Sequence, residues 1–321
     1  MTEANPRTRG ADPRSPVARH PGAPASPAHW TTRQRAVALV GACAAAALLA
    51  PAPAAGAAEG KANGRDSLRV CQDPNNLPFA NDRQEGFENR IAELLGKHLG
   101  VPVTYFNYPQ RFVFIRNTLR YKLPGEDYPC DVIIGLPVGF DQVAITKPYY
   151  RSTYAMVFPQ GKGLDGVNSV EDFLALGRER LSALRIGLYD KSPASKWMDR
   201  HALVDQGVPY QTINVAMDHY VGDIIDKDLV GGKIDVAIVW GPVAGYYANK
   251  VDPPLKVVPM KSEPGIQFDF AFGMGIRRGE PEWKAQLEGF LDTHQAEIAE
   301  ILERYHVPLI DEPPKVVSNG S

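Results

Sequence analysis

From Leu68 to Asn89 the chain runs apolar, then polar and aromatic, then amphipathic: LRVCQ is followed by DPNNLPFANDRQEGFEN. Asp73, Pro74, Asn75, Asn76 and Pro78 end the apolar run with residues that favour turns and leave strand pairing. From Glu88 onward Ile91, Leu94, Leu95 and Leu99 recur at helical spacing, and Gly100 stands where a helix would stop. The pattern predicts strand, loop and helix, with the loop at the strand's carboxyl end. Ligands of open α/β sheets bind in that crevice, so Asp73, Asn75, Asn76 and Phe79 are the first candidates for a site. A well-capped βα turn is the alternative reading.

The same alternation continues. Residues 101–108 read as a strand, and 111–123 as a helix on the spacing of Phe112, Ile115 and Leu119. CDVIIGL, 130–136, is a nearly continuous apolar run, as in a parallel strand buried on both faces. This βαβαβ order calls for right-handed crossovers. Gly135, Pro137 and Gly139 close the run, where missing side chains would admit a ligand or a facing lobe, or simply make a tight turn.

After 155–158 the series restarts. Ser169 with Asp172 marks a helix start, 184–189 a strand, and Ser192 with Pro193 a capped helix closed by Gly207. Residues 210–215 read as a strand, 220–229 as a helix, 234–240 (IDVAIVW) as a second buried parallel strand, and 255–260 as a short strand. Residues 268–276 alternate as a strand passing between lobes, and helical periods follow at 281–293 and 295–305. The resulting expectation is an α/β protein of two doubly wound lobes joined by two strands. Residues 67–156 with 262–312 form one lobe, 157–261 the other, and 313–321 a disordered tail.

Composition adds compartment and charge. The first 30 residues, rich in Pro, Ala and Arg, show no apolar period and read as disordered. Arg33 and Arg35, the apolar stretch 36–50 and the small residues Ala55 and Ala57 make a secretory signal, with cleavage expected after Ala57. Val40-Gly41-Ala42-Cys43 loosely resembles a lipoprotein site, but the apolar stretch continues past the cysteine, and Pro51 and Pro53 disfavour a retained membrane anchor. Residues 1–57 hold six Lys and Arg against two Asp and Glu, which leaves 29 basic and 35 acidic residues and a net charge of −6. That balance argues against nucleic acid as partner. Cys71 and Cys130 remain after export. With their strands as parallel neighbours, an offset of about 10 Å would separate them, so two thiols are the favoured reading.

Catalytic motifs are missing. There is no G-x-S-x-G, H-E-x-x-H, Walker loop or G-x-G-x-x-G. His219 with Asp218, Asp223 and Asp226, and His294 with Glu297, read as polar helix faces, so neither metal nor cofactor is assigned.

VCQDPNNLPFANDRQEGFENRIAELL, CDVIIGLPVGFDQVAITKPYYRSTYAMVF and IDVAIVWGPVAGYYA together resemble the MxaJ/XoxJ group, periplasmic solute-binding-like proteins associated with quinoprotein alcohol dehydrogenases. The resemblance spans residues 67–310. It implies a type II periplasmic-binding-protein fold and a non-enzymatic accessory role toward a pyrroloquinoline-quinone-dependent methanol dehydrogenase of the lanthanide-using type, and its cytochrome c. A transport receptor for a small ligand is the alternative; the dehydrogenase itself is excluded by length and by the lack of propeller repeats. The chain departs from amino-acid receptors of this fold. Pro137-Val138-Gly139-Phe140-Asp141 and Trp240-Gly241-Pro242 stand where those receptors place a carboxylate-binding arginine and an ammonium-binding acid, so a free amino acid is a poor ligand. Arg151 could substitute as a clamp or pair locally near the hinge. The expected cleft comprises Asp73, Asn75, Asn76, Phe79, Gly135, Pro137 and Arg151, facing Asp190, Ser192, Trp240 and Tyr246.

Overall fold

Two long strands, Tyr150–Phe158 and Asp269–Ile276, run through the middle of the molecule, and both lobes are assembled on them. The computed structural model describes residues 65–110, 113–212 and 219–311. The expected export signal, the Ala57 cleavage point and the tail beyond 311 lie outside those residues. Among the described residues no helix is long and apolar enough to cross a membrane.

In the first lobe Leu68–Gln72 pairs in parallel with Val103–Asn107 and touches the Ile133–Pro137 strand through a parallel bridge, Val70 to Val132. Asp269–Ile276 lies antiparallel to Ile133–Pro137 on one side and to Tyr150–Phe158 on the other. One face of this sheet packs Phe87, Ile91 and Leu95 of the helix Phe87–Leu99 against Trp283, Leu287 and Phe290 of Pro281–Thr293 and Ile298 of Gln295–Arg304. A smaller core of Cys71, Phe114, Leu119 and Val143 covers the other face.

The second lobe repeats the order. Gly207–Tyr210, Ile186–Tyr189 and Val236–Trp240 are parallel neighbours, and Val236–Trp240 then pairs antiparallel with Tyr150–Phe158, whose far side takes Lys256–Pro259. Tyr150 to Thr153 bond the first lobe's return strand, and Tyr154 to Phe158 bond the second lobe's strands. The strand therefore changes lobes between Thr153 and Tyr154. Ser152 and Thr153 are fully buried there, and their hydroxyls donate to the carbonyls of Pro308 and Met260, both at 2.6 Å. This is the expected fold class: two doubly wound α/β lobes on a two-strand hinge.

Several local expectations are corrected. The helix expected over 111–123 is a single turn, Phe114–Asn117. Ile115 and Leu119 are buried as their spacing suggests, but Val113 at φ 62° and Thr118 at φ −122°, ψ −91° break the helix on either side. Gly207 opens a strand instead of closing a helix, because the helix from Pro193 ends at Arg200 and a 3₁₀ turn intervenes. Of the strand expected over 210–215, Tyr210 ends the strand Gly207–Tyr210, and 213–215 lie outside the described residues. The helix expected over 220–229 is the shorter π-type turn Ile224–Leu229. Ser169 caps its helix by accepting from the Asp172 amide, whereas the Ser192 hydroxyl donates back to the Tyr189 carbonyl and caps nothing.

Cys71 and Cys130 form a disulfide, with Cα atoms 5.3 Å apart. The expected separation assumed a straight strand. At Asp131 the chain bends: its amide donates to the Arg69 carbonyl while Val132 accepts from Cys71, which brings Cys130 beside Cys71 under the Phe114 core.

The bend carries the most concentrated buried charge in the protein. Asp131 is fully buried and meets Arg69 at 2.7 and 2.9 Å, Arg277 at 2.8 Å and Arg65 at 2.7 Å. Burial alone would push this carboxyl up, but the Arg69 and Arg277 hydrogen bonds and the Arg65 charge together hold it below its ordinary range. The three guanidiniums come from the segment before the first strand, that strand itself and the end of the return strand, so one carboxylate ties their ends together. Asp131→Asn should cost about 3–5 kcal/mol at pH 7, because it takes the one buried carboxylate away from Arg277 and from the half-buried Arg65 and Arg69. Since the folded carboxyl titrates below its unfolded value, the contribution is present above pH ~4 and lost as pH falls through the folded value. Urea midpoints of the two proteins should accordingly differ widely at pH 7, and the gap should narrow as pH falls below ~4.

Candidate functional site

Where the carboxyl ends of both sheets face each other, the lobes enclose a cavity of about 300 Å³. Its floor is aromatic because the crossing strands and the end of Val236–Trp240 present their rings to it. Trp240 lies 5.4 Å from Tyr154, 5.8 Å from Phe270 and 5.4 Å from Phe272, and Phe272 stacks on Tyr150 at 5.1 Å. Phe79 belongs to the cores of both lobes, packing on Phe87 at 5.3 Å from one side and facing the second lobe on the other. The lobes touch. The Tyr247 hydroxyl donates to the Leu77 carbonyl at 3.3 Å, and Tyr246 stacks on Tyr305 at 5.9 Å.

One ionisable group enters the cavity wall from the first turn of Phe87–Leu99. Glu88 is half-buried, its exposed part facing the cavity, and no protein donor reaches its carboxyl among the described residues. Gly135 makes the space: a Cβ at that position would stand 2.2 Å from Glu88 Oε1. The helix N-terminus favours the ionised form. Loss of water opposes it and wins, pushing the carboxyl from an ordinary 4.5 up to about 8. Tyr154, also without a hydrogen-bond partner for its hydroxyl among the described residues, is pushed up to about 12 by burial.

The structure brings together Asp73, Asn76, Phe79 and Gly135 from the first lobe and Ser192 and Trp240 from the second. Asp73 accepts from the amides of Asn75 and Gln110, and Asn76 donates to Gln110 at 2.9 Å, so this loop is braced before any ligand arrives. Asn75 lies further out, in the mouth with Tyr210 and Tyr220. Four expected residues are elsewhere. Arg151 pairs with Asp269 at 3.0 Å across the two crossing strands, and so serves the hinge and not the cavity. Pro137 turns toward a separate groove with Phe114 and Phe140. Asp190 spends its carboxylate on the hydroxyl and amide of Thr212, which hold it below its usual range. Tyr246 faces Tyr305 and the Lys250 ammonium.

The residues missed are Glu88, Gln72, Tyr154, Tyr189 and Phe272. Trp240, Gly241 and Pro242 do stand at the end of the second lobe's strand without an acid, and Glu88 brings a carboxyl to the cavity from a helix and not from a strand end. An acid in the first turn of a helix ordinarily signals only a complement to the helix dipole. Phe272 and Tyr154 were legible as strand residues, but which way a crossing strand turns its faces depends on pairing the sequence does not show.

No protein-family model matches the chain. It is 25% identical over 258 residues to the protein MoxJ of Paracoccus denitrificans, covering 76% of this chain and 89% of that one. Among solved structures it is 34% identical to the periplasmic binding protein XoxJ from Methylobacterium extorquens AM1, with a TM-score of 0.61, covering 76% of this chain and all of that one. MxaJ from Methlophaga aminisulfidivorans MPT, 22% identical, shares the fold at a TM-score of 0.63 over 76% of this chain and all of that one.

Burying Glu88 in the unliganded cavity should cost stability in a pH-dependent way. Its folded value lies above its unfolded one, so there is no cost below pH ~4.5, and the cost grows until pH passes about 8. Glu88→Gln should therefore match the native protein at pH 4.5 and exceed it by on the order of 2–4 kcal/mol at pH 8.5. Thermal melts across that range measure the difference.

Proposed function

The chain belongs to the XoxJ/MxaJ family of periplasmic binding proteins, and from that premise we propose a non-enzymatic periplasmic accessory protein of a pyrroloquinoline-quinone-dependent methanol dehydrogenase of the lanthanide-using type. It binds the dehydrogenase in support of maturation or activation, with the cytochrome c of the same system as a second partner. On this reading the lobe built up to Thr153 and again from Asp269 moves against the lobe built from Tyr154 to Phe268, each with its own pair of cores.

The observation that carries the proposal is the aromatic cleft. Phe79, Tyr154, Trp240 and Phe272 offer large, stiff contact area of the sort enriched at protein interfaces. Arg151, the residue that could have gripped a ligand carboxylate, is committed to Asp269. Closure rests on the packing of Phe79 between the cores of both lobes, one long hydrogen bond and one ring stack, worth about 2–4 kcal/mol together. A partner segment that prefers one arrangement of the lobes by that margin can shift their balance. A second reading, a receptor delivering a small ligand, is favoured by the enclosed shape and by the cavity volume, which sits at the low end of small-ligand pockets.

Deletion of the gene should lower methanol dehydrogenase activity in periplasmic extracts at least tenfold, and the native gene should restore it. Complementation with Trp240→Ala plus Phe272→Ala should restore the protein but not the activity, and the native protein should co-purify with the dehydrogenase. Normal activity in the deletion strain with no recoverable complex would leave the receptor reading as the better account.

A further inference from the structure

Among the described residues Glu88 is a part-buried carboxyl that no protein donor reaches. Asp131, Asp190, Asp228, Asp235, Glu85 and Glu263 all accept hydrogen bonds from the chain, whereas the Glu88 carboxyl stands in a cavity that the rings of Phe79, Trp240 and Phe272 share with polar groups such as Gln72, Ser192 and Thr212, none of which donates to it among the described residues. Gly135 opposite it leaves just enough room for the carboxyl, so the position is built. The cavity mouth carries Asp73 from the first lobe and Lys191 from the second, one charge of each sign. Glu88 is therefore, among the described residues lining this cavity, the carboxyl that no protein donor offsets.

We propose that the cavity binds an organic ammonium that carries no carboxylate, its N–H groups held by Glu88 and its alkyl part by the rings of Phe79, Trp240 and Phe272. A cation over aromatic faces is attracted by their quadrupoles, most strongly by tryptophan and most of all out of water. A carboxylate close to the ammonium would stand among those rings away from a cation, since Arg151 is held by Asp269 and the exposed Lys191 lies at the mouth. A metal ion is excluded as the occupant by donor count, because among the described residues no three His, Cys, Asp or Glu side chains converge. This ligand class goes beyond the accessory role and does not depend on it.

Binding should be linked to protons through Glu88. The groups that face it are the Tyr149 and Tyr150 hydroxyls, on which its charge acts, and Asp73 and Lys191 at the mouth. Burial and the Glu88 charge hold both tyrosines well above their usual range, so they stay neutral through pH 9. The Tyr150 hydroxyl is buried without a partner, and its ring stacks on Phe272 in the cavity floor. An arriving cation ionises Glu88, which releases its proton to solvent.

The experiment is calorimetric titration of the purified exported protein with n-butylammonium chloride, with n-butanol as the neutral control of equal shape. The dissociation constant should fall about tenfold per pH unit from 6 to 7 and level off above pH ~8. At pH 7 close to one proton should be released per site, read from buffers of different ionisation enthalpy. Glu88→Gln, with a melting curve to show that it folds, should weaken binding at least 30-fold at pH 8.5, and Trp240→Leu several-fold. A glycine-flanked lysine peptide that competes would identify the ammonium as a partner's lysyl side chain, and one that fails would identify a free amine; either supports the assignment. Native-like butylammonium binding by Glu88→Gln, n-butanol binding as tightly as butylammonium, or no butylammonium binding to the native protein would overturn it. None of these outcomes bears on the deletion phenotype, so the two readings fail separately.

Discussion

Main-chain hydrogen bonding passes without interruption from one lobe to the other through Tyr150–Phe158, and this shared strand constrains everything else. Its first four residues complete one sheet and its last five the other. The lobes cannot separate by breaking that ladder, because each buried amide and carbonyl left unpaired would cost on the order of 1–3 kcal/mol. Relative motion is left to twisting near Thr153 and Tyr154, where the Ser152 and Thr153 hydroxyls are tied to Pro308 and Met260. The ion pair of Arg151 with Asp269 stiffens the same place from the side. Tyr154 and Phe272, which form part of the cavity floor, project from these two strands, so hinge and floor are one set of residues. A ligand on that floor therefore touches the moving part directly.

The cavity and the Asp131 cluster show two treatments of a buried carboxyl in one chain. Asp131 is surrounded by three guanidiniums and is ionised at the cost of fixing three segments in place. Glu88 has no such partners and is protonated at neutral pH in the unliganded protein. The first arrangement contributes rigidity where strand ends meet. The second leaves a donor or an acceptor available at a surface that a partner can reach, and pairing it is the partner's to supply. Perturbed, unpaired ionisable groups in clefts are candidates for function on this ground.

Much of the fold was readable because its strands are apolar runs at the length and spacing of βα units. IIGL and VAIV are buried on both faces, and the helices at 281–293 and 295–304 follow their periods closely. Readability failed where backbone conformation and tertiary pairing compete with period. Ile115 and Leu119 are buried at helical spacing on a chain that is mostly turn, since burial selects apolar residues whatever the backbone does. The disulfide was missed for a related reason: a single bend at Asp131 removes the offset that an ideal strand would impose. Within the site, the loop 73–79 was legible from its position after a strand. Glu88 was not, because its significance lies in Gly135 across the sheet and in the lack of a protein donor for its carboxyl among the described residues.

The two uses considered for the cleft make opposite demands on the lobes. A small ammonium contacting Glu88 on the first lobe and Trp240 on the second would hold the closed arrangement, adding to the Tyr247 hydrogen bond and the Tyr246 to Tyr305 stack. A protein segment is too large for 300 Å³ and requires the lobes apart, except where it inserts a single side chain. Because the lobes are held by the Phe79 packing, one hydrogen bond and one ring stack, a preference of about 2–4 kcal/mol in either direction decides which arrangement dominates. By reciprocity, a ligand that stabilises closure must weaken any partner that needs an open cleft by the same factor, while a partner that delivers its own lysine into the Glu88 pocket would escape that opposition and be favoured by closure.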